Sequence, residues 1–579
     1  MVDFGIVVGK LMSPNNAERK QAEVAYNNQK ASQPMMVLRG LGKLVNGHAD
    51  VKVRAMASVL ARRIVQPTNK IDIDQNTMQF MQQAMLKAFT QEPVASARRK
   101  ICNAIAPLAA RAPFPQLLPV VFGKLGHSDA NHRESALFLL SKICEYAVDI
   151  VVPHVAKLHA AVKVGLSNGQ PMNVRIASLD ACCSWMLSTK DANQSDKSKF
   201  MLFIPAMLAV VSDALNKGNE VEAQESLTKL IDLLRVDPDT CRSSMMQVAG
   251  GMMQVAAAKS LEPATRKLAL ETLVQMCEST PALVRKCTPF VSKIFPLSLS
   301  MVFECDADDF EPDDYTPPDQ DTDAPYLVGE SAIMRITEAL GKTFVPQLLS
   351  NVQSLANSTS WNQRRACCVA IGTIFCFVFQ SREFSQHTLS RRTGATINGG
   401  GRSVRKALKP HLAVLLQMLI GKIRNDPNQW VRFEAIHCVA AICSAYEAHI
   451  QEQFHSLVAP GLASAMEAGR NCMRVRGHAA SATQIFARPG KCEEENLKPH
   501  THLLLNALCN LLKTGTKSVQ EEALTAVACI AKVIETDFAP YVILERVESY
   551  LSLQPCPFFC QKYSNTNTRT PTLERQVLR

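Results

Sequence analysis

Aromatic residues and strand signals are scarce in this sequence of 579 residues. Aromatic side chains make up 6% of the chain, whereas hydrophobic residues make up 47%. No Asn-Gly or Asp-Gly pair stands between two alternating apolar runs, which is the usual mark of a β-hairpin. The abundance of Ala and Leu therefore favours a helical protein over a β-sandwich.

The cysteine spacing that a metal site needs is also missing. The 19 cysteines form no CxxC motif, whereas a zinc site requires ligands clustered at short, fixed spacings. Pairs such as Cys182-Cys183 and Cys367-Cys368 lie in apolar stretches. We interpret the cysteines as small buried hydrophobes of a protein from a reducing compartment, and we expect neither a metal nor a cofactor.

The sequence also lacks a secretory leader and long apolar runs. Asp3 stands where a leader would have a basic region. The longest apolar run, Cys368 to Phe379, is shorter than the about 20 residues that span a bilayer. We therefore expect a soluble intracellular protein.

The formal net charge of +11 is concentrated in two segments. Residues 379–409 carry seven basic residues and one acidic residue, and residues 555–579 carry four and one. These segments contribute +6 and +3, which leaves 11 − 9 = +2 for the rest of the chain. A nearly neutral body gives no basis for direct binding of nucleic acid.

One short pattern recurs along the chain: a polar turn, a hydrophobic residue, a polar or basic residue, two further positions and a small residue. Copies begin at Val431, Val475 and Val519, 44 residues apart, and at Val174 and Val221, 47 apart. Further copies surround Arg54, Arg99, Arg133, Arg266 and Arg365. A period in the forties is typical of HEAT repeats, which are pairs of antiparallel helices. The sequence thus predicts an all-α HEAT-repeat solenoid, a right-handed superhelix of about eleven repeats.

The stacking of such repeats follows from their apolar faces. Ala435, Cys438, Val439 and Ile442 are spaced as on one side of a helix. A single helix pair cannot bury this side, so neighbouring pairs must stack. We predict that the recurring Arg crosses the seam between repeats and pairs with a turn Asp of its neighbour. Helix starts are expected at Ser13-Pro14, Asp50 and Asp426-Pro427.

Three segments interrupt the repeats. Residues 304–328 read as an acidic loop, residues 380–404 as a flexible basic insert, and residues 554–579 as a divergent tail without helical period. HEAT repeats are predicted for residues 1–303, 329–379 and 405–553. A genuine segment and a gene-model error fit the insert and the tail equally well.

Several stretches carry a resemblance to a known family. They are residues 11–16, 19–23, 329–332 and 515–517, Trp361 with Arg364, and Asp426-Pro427 with Val431-Arg432. In order and spacing these stretches resemble the importin-β family of karyopherins, and in particular its importin-5 (karyopherin β-3) branch. Members of the family are considerably longer, so the resemblance covers their N-terminal half and suggests a truncated form.

The resemblance implies a nuclear transport receptor that shuttles between cytoplasm and nucleus. Such a receptor carries cargo proteins with basic import signals, for instance ribosomal proteins or histones, on its superhelix. It docks on Phe-Gly nucleoporins through hydrophobic grooves between outer helices. Ran-GTP binds its N-terminal repeats and releases the cargo, and neither a membrane nor nucleic acid is implied as a partner.

Two charged groups are candidate Ran-binding residues under this resemblance. The acidic group lies in the loop and consists of Asp306, Asp308, Asp309, Glu311, Asp313 and Asp314. The basic group lies near the N-terminus and consists of Arg54, Arg98, Arg99 and Lys100. Cations at a helix start oppose the helix dipole, which favours a partner for them. The alternative interpretations are a solvated linker and a solvated helix face.

Catalytic motifs are absent, so we expect no enzymatic activity. Gly341-Lys342-Thr343 matches the end of a phosphate-binding loop, but Ile336 stands where that loop needs glycine. Neither GxSxG nor HExxH occurs. The alternative function is a static HEAT-repeat scaffold for a multiprotein complex. The acidic loop followed by Gly329-Glu330-Ser331-Ala332 favours the transport receptor.

Overall fold

A computed structural model describes residues 4–189, 194–313, 324–387, 394–538 and 541, and all regular structure in these residues is helical. The chain divides into two compact units, Met1–Ser279 and Thr280–Arg579. The helices of the first unit are α1 (Phe4–Lys10), α2 (Asn16–Ser32), α3 (Pro34–Gly47), α4 (Val51–Val65), α5 (Gln75–Gln91), α6 (Ala95–Arg111), α7 (Leu117–Leu125), α8 (Ala130–Val151), α9 (Val155–Gly165), α10 (Met172–Ser188), α11 (Gln194–Met201), α12 (Ile204–Asn216), α13 (Glu220–Val236), α14 (Met245–Ala257) and α15 (Pro263–Ser279).

The second unit continues with helices of the same kind. They are α16 (Pro281–Val284), α17 (Thr288–Val302), α18 (Pro325–Leu340), α19 (Val345–Ala356), α20 (Trp361–His387), α21 (Gly394–Leu408), α22 (Leu412–Asn425), α23 (Gln429–Tyr446), α24 (Ala448–Ala465), α25 (Met473–Phe486), α26 (Glu494–Leu497), α27 (Thr501–Thr514) and α28 (Lys517–Ile534).

Each unit is a row of helix pairs. The described residues form seven pairs in the first unit, from α1/α2 to α14/α15, and five in the second, from α17/α18 to α27/α28. From α4 onward in the first unit and from α18 onward in the second, the second helix of each pair packs on the second helix of the next pair, as α4 does on α6 and α23 on α25. The predicted class, an all-α HEAT-repeat solenoid, is confirmed.

Short polar side chains begin the helices. Asp50 caps α4 by accepting the Lys52 N–H at 2.8 Å, as its sequence position predicts. The caps of α2 and α23 are Asn15 and Asn428. Ser13-Pro14 and Asp426-Pro427 therefore lie just before these helices and not at their first residues.

The recurring arginine crosses the seam between repeats. Arg175 pairs with Asp213 at 2.6 Å, and Arg54 makes a bidentate pair with Glu92 at 2.7 and 2.9 Å. Arg364 grips the carboxylate of Asp426 in the same way, at 2.7 and 3.0 Å. The predicted pair with a turn Asp is present at Asp426, whereas Asp213 belongs to α12 and Glu92 replaces Asp at the third seam.

The recurring arginines of two successive repeats bind the same turn. The carboxylate of Asp426 accepts from Arg364, while its backbone carbonyl accepts from Arg432 at 2.6 Å. Glu92 is held likewise by the side chains of Arg54 and Arg98. The seam residues are therefore Arg98 and Arg364. The sequence pattern placed these two copies one residue too late, at Arg99 and Arg365.

The insert predicted at 380–404 is helical over most of its length. Residues 380–387 continue α20, and residues 394–404 belong to α21, while residues 388–393 lie outside the described part of the chain. Val404 and Leu408 are fully buried. A Cβ on Gly401 would lie 1.8 Å from Ser381 Oγ, so the glycine permits close packing. The sequence predicted a flexible segment here, whereas residues 394–404 form the first part of a helix that is packed at Val404 and Leu408.

Two helical stretches among the described residues are long and apolar enough to cross a membrane. They are Ser195–Asn216 and Trp361–Ser381. The first is interrupted by a turn at Leu202 and Phe203. The second is largely buried in α20, where its apolar residues pack between α18 and α23. Burial against neighbouring repeats accounts for the composition of this second stretch.

Candidate partner-binding surfaces

Two of the four basic candidates near the N-terminus are committed to the seam. Arg98 is 2% exposed and donates to the carbonyl oxygens of Glu92 and Asn131, both at 2.9 Å. Arg54 is held by Glu92 and by the carbonyl oxygens of its own turn. The prediction that these two guanidinium groups face a partner was wrong, because stacking of the repeats consumes their donors.

The other two basic candidates lie on an accessible face of α6. Arg99 pairs with the buried Glu134 at 2.8 Å and lies 5.3 Å from the Phe138 ring, yet about half of its side chain is exposed. Lys100 is exposed. Of the four basic candidates, only Arg99 and Lys100 are therefore accessible to a partner.

The acidic candidates lie on a segment that is docked on its own unit. We call residues 304–313 the acidic arm; Asp314 lies outside the described residues. Asp306 and Asp309 form a capping box around a single 3₁₀ turn, with the Asp306 N–H donating to Asp309 at 2.9 Å. Asp308, Glu311 and Asp313 are exposed. The loop is also shorter than predicted, because α18 begins at Pro325.

Phe310 anchors the arm on the second helices α23 and α25. Its ring stacks on Trp430, with centroids 5.6 Å apart and planes inclined by 22°. The guanidinium group of Arg474 lies 5.0 Å from the Phe310 ring and 5.2 Å from the Phe433 ring. The Arg474 N–H donates to Pro312 O at 2.9 Å, and its Nη1 donates to Glu311 O at 3.3 Å. Residues 304–313 are thus packed on these two helices.

A buried ionic cluster lies beneath the arm. Arg365 lies 3.9 Å from the Trp430 ring and pairs with Glu434 at 3.1 Å. Glu330 lies beside them, and burial together with the charge of Glu434 raises its pKa from 4.5 to about 7, although Arg365 opposes the shift. One arginine therefore faces two carboxyl groups, of which one retains its proton near neutral pH.

The sequence analysis missed this aromatic and basic surface. We call Trp361, Trp430, Phe433, Arg365 and Arg474 the aromatic–arginine cluster. The available signal was the use of tryptophan: the chain contains three, and two of them, Trp361 and Trp430, lie 5.7 Å apart here. Phe310 within an acidic run was a second signal.

An apolar groove of about 500 Å³ runs beside α7 and the start of α9 in the first unit. Its lining includes Phe114, Leu118, Phe122 and Ile150, together with three prolines. His154 meets the Phe122 ring edge-on with centroids 5.9 Å apart. Lys157 Nζ lies 5.7 Å from the same ring. The groove offers apolar surface and aromatic faces on the side of the first helices.

Most cysteines of the described residues are buried. No group of three potential metal-ligating side chains occurs in that part of the chain. Burial raises the pKa of Cys182 and of Cys443 to about 12, which keeps both thiols protonated at neutral pH. These side chains act as core hydrophobes.

Comparisons with known proteins bear on both units. A family model described as "IPO5-like, TPR repeats" matches residues 93–251, and one described as "Importin repeat" matches residues 258–362. Importin subunit beta-3 of Saccharomyces cerevisiae is 24% identical over 558 residues, which cover 92% of this chain and 48% of the relative. The chain thus spans about half the length of the curated relative it matches.

Solved structures agree with the fold. The crystal structure of Kap121p aligns with a TM-score of 0.77 at 23% identity, covering 94% of this chain and 50% of Kap121p. Kap121p bound to RanGTP aligns with a TM-score of 0.76 at 24% identity, with the same coverage. Kap121p bound to Nup53p aligns with a TM-score of 0.76 over 95% of this chain and 51% of Kap121p.

The chain is therefore a helical-repeat protein that carries importin-type repeats over residues 93–251 and 258–362. Within that type its repeats are importin-5-like, and it is homologous to importin β-3 over most of its own length. The resemblance drawn from the sequence is confirmed.

Proposed function

We propose that the chain acts as a nuclear transport receptor that works by binding and not by catalysis. It binds cargo on its HEAT repeats, docks on Phe-Gly nucleoporins, and releases cargo when Ran-GTP binds, while shuttling between cytoplasm and nucleus. The observation that carries the proposal is the collinear homology with importin β-3 over 92% of the chain. The relatives' complexes with RanGTP and Nup53p support the choice of partners.

Fewer basic residues are available to contact Ran than the sequence suggested. Arg99 and Lys100 remain accessible on α6, whereas Arg54 and Arg98 serve the seam. The exposed carboxylates of the acidic arm supply a second contact for a basic surface of Ran or of a cargo with a basic import signal. The basic residues of α6 would contact acidic groups of the partner, and the acidic arm would contact its basic groups.

A titration with Ran in its two nucleotide states tests the proposal. We expect tighter binding of Ran-GTP than of Ran-GDP. Lys100→Glu should weaken Ran-GTP binding by about 2- to 30-fold, because an exposed charge contributes roughly 0.2–1 kcal/mol and reversal doubles the effect. Lys43→Glu makes the same charge change on the exposed side of α3, a first helix, and should leave the affinity unchanged.

The acidic arm can be tested in the same assay. Changing Asp306, Asp308, Asp309 and Asp313 to Asn retains the acceptor oxygens of the capping box but removes four charges. Binding should weaken at low salt and change little at high salt, because exposed charges are screened over about 8 Å at physiological ionic strength. Equal affinity for both nucleotide states in the unmodified chain contradicts the receptor and favours the static scaffold.

The groove beside α7 and α9 is the surface that best fits a Phe-Gly segment. Its aromatic and proline lining provides faces against which a phenylalanine ring can stack. Phe122→Ser should weaken capture by a Phe-Gly peptide several-fold. Val164→Ser, which changes an exposed residue of α9 outside the groove, is the matched control.

A further inference from the structure

The acidic arm lies on its own unit in the way a bound peptide lies on a repeat protein. It crosses three consecutive second helices within ten residues. Asn362 of α20 donates to Phe303 O and Cys305 O, both at 3.0 Å, and Trp430 of α23 stacks on Phe310. Arg474 of α25 donates to the carbonyl oxygens of Glu311 and Pro312.

The acidic arm is held by contacts to the Phe310 side chain and by hydrogen bonds to its main-chain oxygens. The ring of Phe310 is the one aromatic side chain of residues 304–313 and is enclosed by Trp430, Phe433 and Arg474. The remaining contacts just described go to main-chain oxygens, which any peptide offers. The carboxylates of Asp308, Glu311 and Asp313 point to solvent. The surface therefore selects an aromatic residue at the position of Phe310 and a small, buried side chain at that of Cys305, and it accepts the other neighbours through their backbone.

The charge of the surface explains why acidic neighbours are tolerated. Arg474 carries a guanidinium group between two aromatic faces, a position in which a cation keeps its charge while contacting rings. Glu434, the nearby carboxylate, is neutralised by Arg365 at 3.1 Å. Arg365 is balanced by Glu434 and in part by Glu330. The uncompensated charge of the surface is therefore that of Arg474, which attracts an acidic peptide and repels a basic one.

We propose that the aromatic–arginine cluster is a docking site for a short peptide motif in a partner protein, consisting of an aromatic residue within an acidic stretch. Residues 304–313 occupy this site in cis. The inference goes beyond the proposed function, because that function concerns basic cargo signals and Ran.

The cis occupant and a partner peptide compete for one site. A short tether gives the arm an effective concentration on the order of millimolar, so a free peptide binds only poorly to the intact chain. Removing the anchor ring of Phe310 should free the site without altering the net charge of the arm. This separates the proposal from an electrostatic effect of the acidic run.

Fluorescence anisotropy with a labelled decapeptide carrying the sequence of residues 304–313, with Ser replacing its cysteine, tests the proposal on the full chain. We expect the peptide to bind the Phe310→Ala chain at least tenfold more tightly than the unmodified chain. A peptide with Ala in place of Phe should lose this binding, and Arg474→Gln added to the Phe310→Ala chain should weaken it roughly tenfold. Phe122→Ala, which alters the groove of the first unit, should behave like the unmodified chain.

The opposite results are equally defined. Absence of binding to the Phe310→Ala chain, equal binding to both chains, or binding that ignores the phenylalanine of the peptide overturns the proposal. The last result would trace binding to charge alone. The comparison of Ran-GTP with Ran-GDP and the Lys100→Glu variant leave the aromatic–arginine cluster and the acidic arm unchanged, so failure here leaves the proposed function standing, and the reverse also holds.

Discussion

Adjacent arginines on the second helices have different roles. Arg98 and Arg364 are buried at the seams, whereas Arg99 and Arg365, one position later, contact rings and carboxylates of the next second helix. One residue along an α-helix turns the side chain by about 100°, which is enough to move it from the seam to the helix face. Substitution of Arg98 should therefore report on stability, and substitution of the half-exposed Arg99 on binding, whereas Arg365 is itself buried.

Glu330 offers a pH-dependent test at the residue scale. Its pKa is raised to about 7 in the folded protein from an ordinary value of 4.5. The native state thus binds this proton more tightly than the unfolded state, and stability falls as the pH rises from about 4.5 to 7. Glu330→Gln should stabilise α18 by up to about 3 kcal/mol at pH 8 and by about 1 kcal/mol at pH 5.

Hydrogen exchange of the α18 amides at the two pH values measures this effect. Glu338→Gln is the matched control, since Glu338 is exposed on the same helix. The control should change protection little at either pH. A gain from Glu330→Gln that is the same at pH 5 and pH 8 contradicts the assignment of a raised pKa.

At the scale of elements, Gly329 sets the approach of α18 to α17. A Cβ at this position would lie 2.6 Å from Ser298 O and 2.9 Å from Val302 N, both backbone atoms that cannot move independently. The two helices of this pair therefore pack backbone to backbone. The glycine of the motif Gly329-Glu330-Ser331-Ala332 is thus required by the close packing of α17 and α18.

Gly329→Ala should force α17 and α18 apart and destabilise this repeat by about 1–3 kcal/mol. Gly421→Ala in α22 is the control, because no atom lies within 4 Å of its added Cβ. The control should instead stabilise its helix by about 0.5–1 kcal/mol, since alanine restricts the unfolded chain. Hydrogen exchange of the two helices compares the effects, and equal signs would be inconsistent with the close approach.

The sequence predicted the elements better than their contacts. The 44-residue spacing of Val431, Val475 and Val519 was sufficient to predict the helix pairs, because burial of a periodic apolar face determines the stacking. It could not distinguish Arg98 from Arg99, since adjacent cations look alike in a pattern. The docking of Phe310 depends on a contact with Trp430, 120 positions later, and local composition carries no signal for it.

At the scale of the whole molecule, each repeat in the described residues touches mainly its neighbours. The stability of such a chain is roughly a sum of repeat and interface contributions, so damage should stay local. Arg364→Ala leaves the carboxylate of Asp426, which is 1% exposed, without its bidentate partner. We expect a local loss of about 3–5 kcal/mol around α20–α23 and unchanged protection of α4–α8.

Exchange mapped over the full chain provides the measurement. Arg242→Ala removes an arginine from an exposed pair with Asp239, in which both side chains are more than 65% exposed. This control should cost less than about 1 kcal/mol. Loss of protection in α4–α8 on Arg364→Ala would show long-range cooperativity and contradict nearest-neighbour stability.

The contacts of the recurring arginines with the turns have a consequence for how such a chain can lengthen. Arg54–Glu92, Arg175–Asp213 and Arg476–Thr514 all join residues 38 positions apart. Arg364 and Asp426 are 62 apart, and the additional 62 − 38 = 24 residues correspond closely to the segment of α20 and α21 that interrupts the period. Because each arginine finds its partner at a fixed offset, an unequal crossover that duplicates or deletes one whole period would restore a complete seam at the junction. Genes for such solenoids can therefore change length in steps of one repeat without first evolving new contacts.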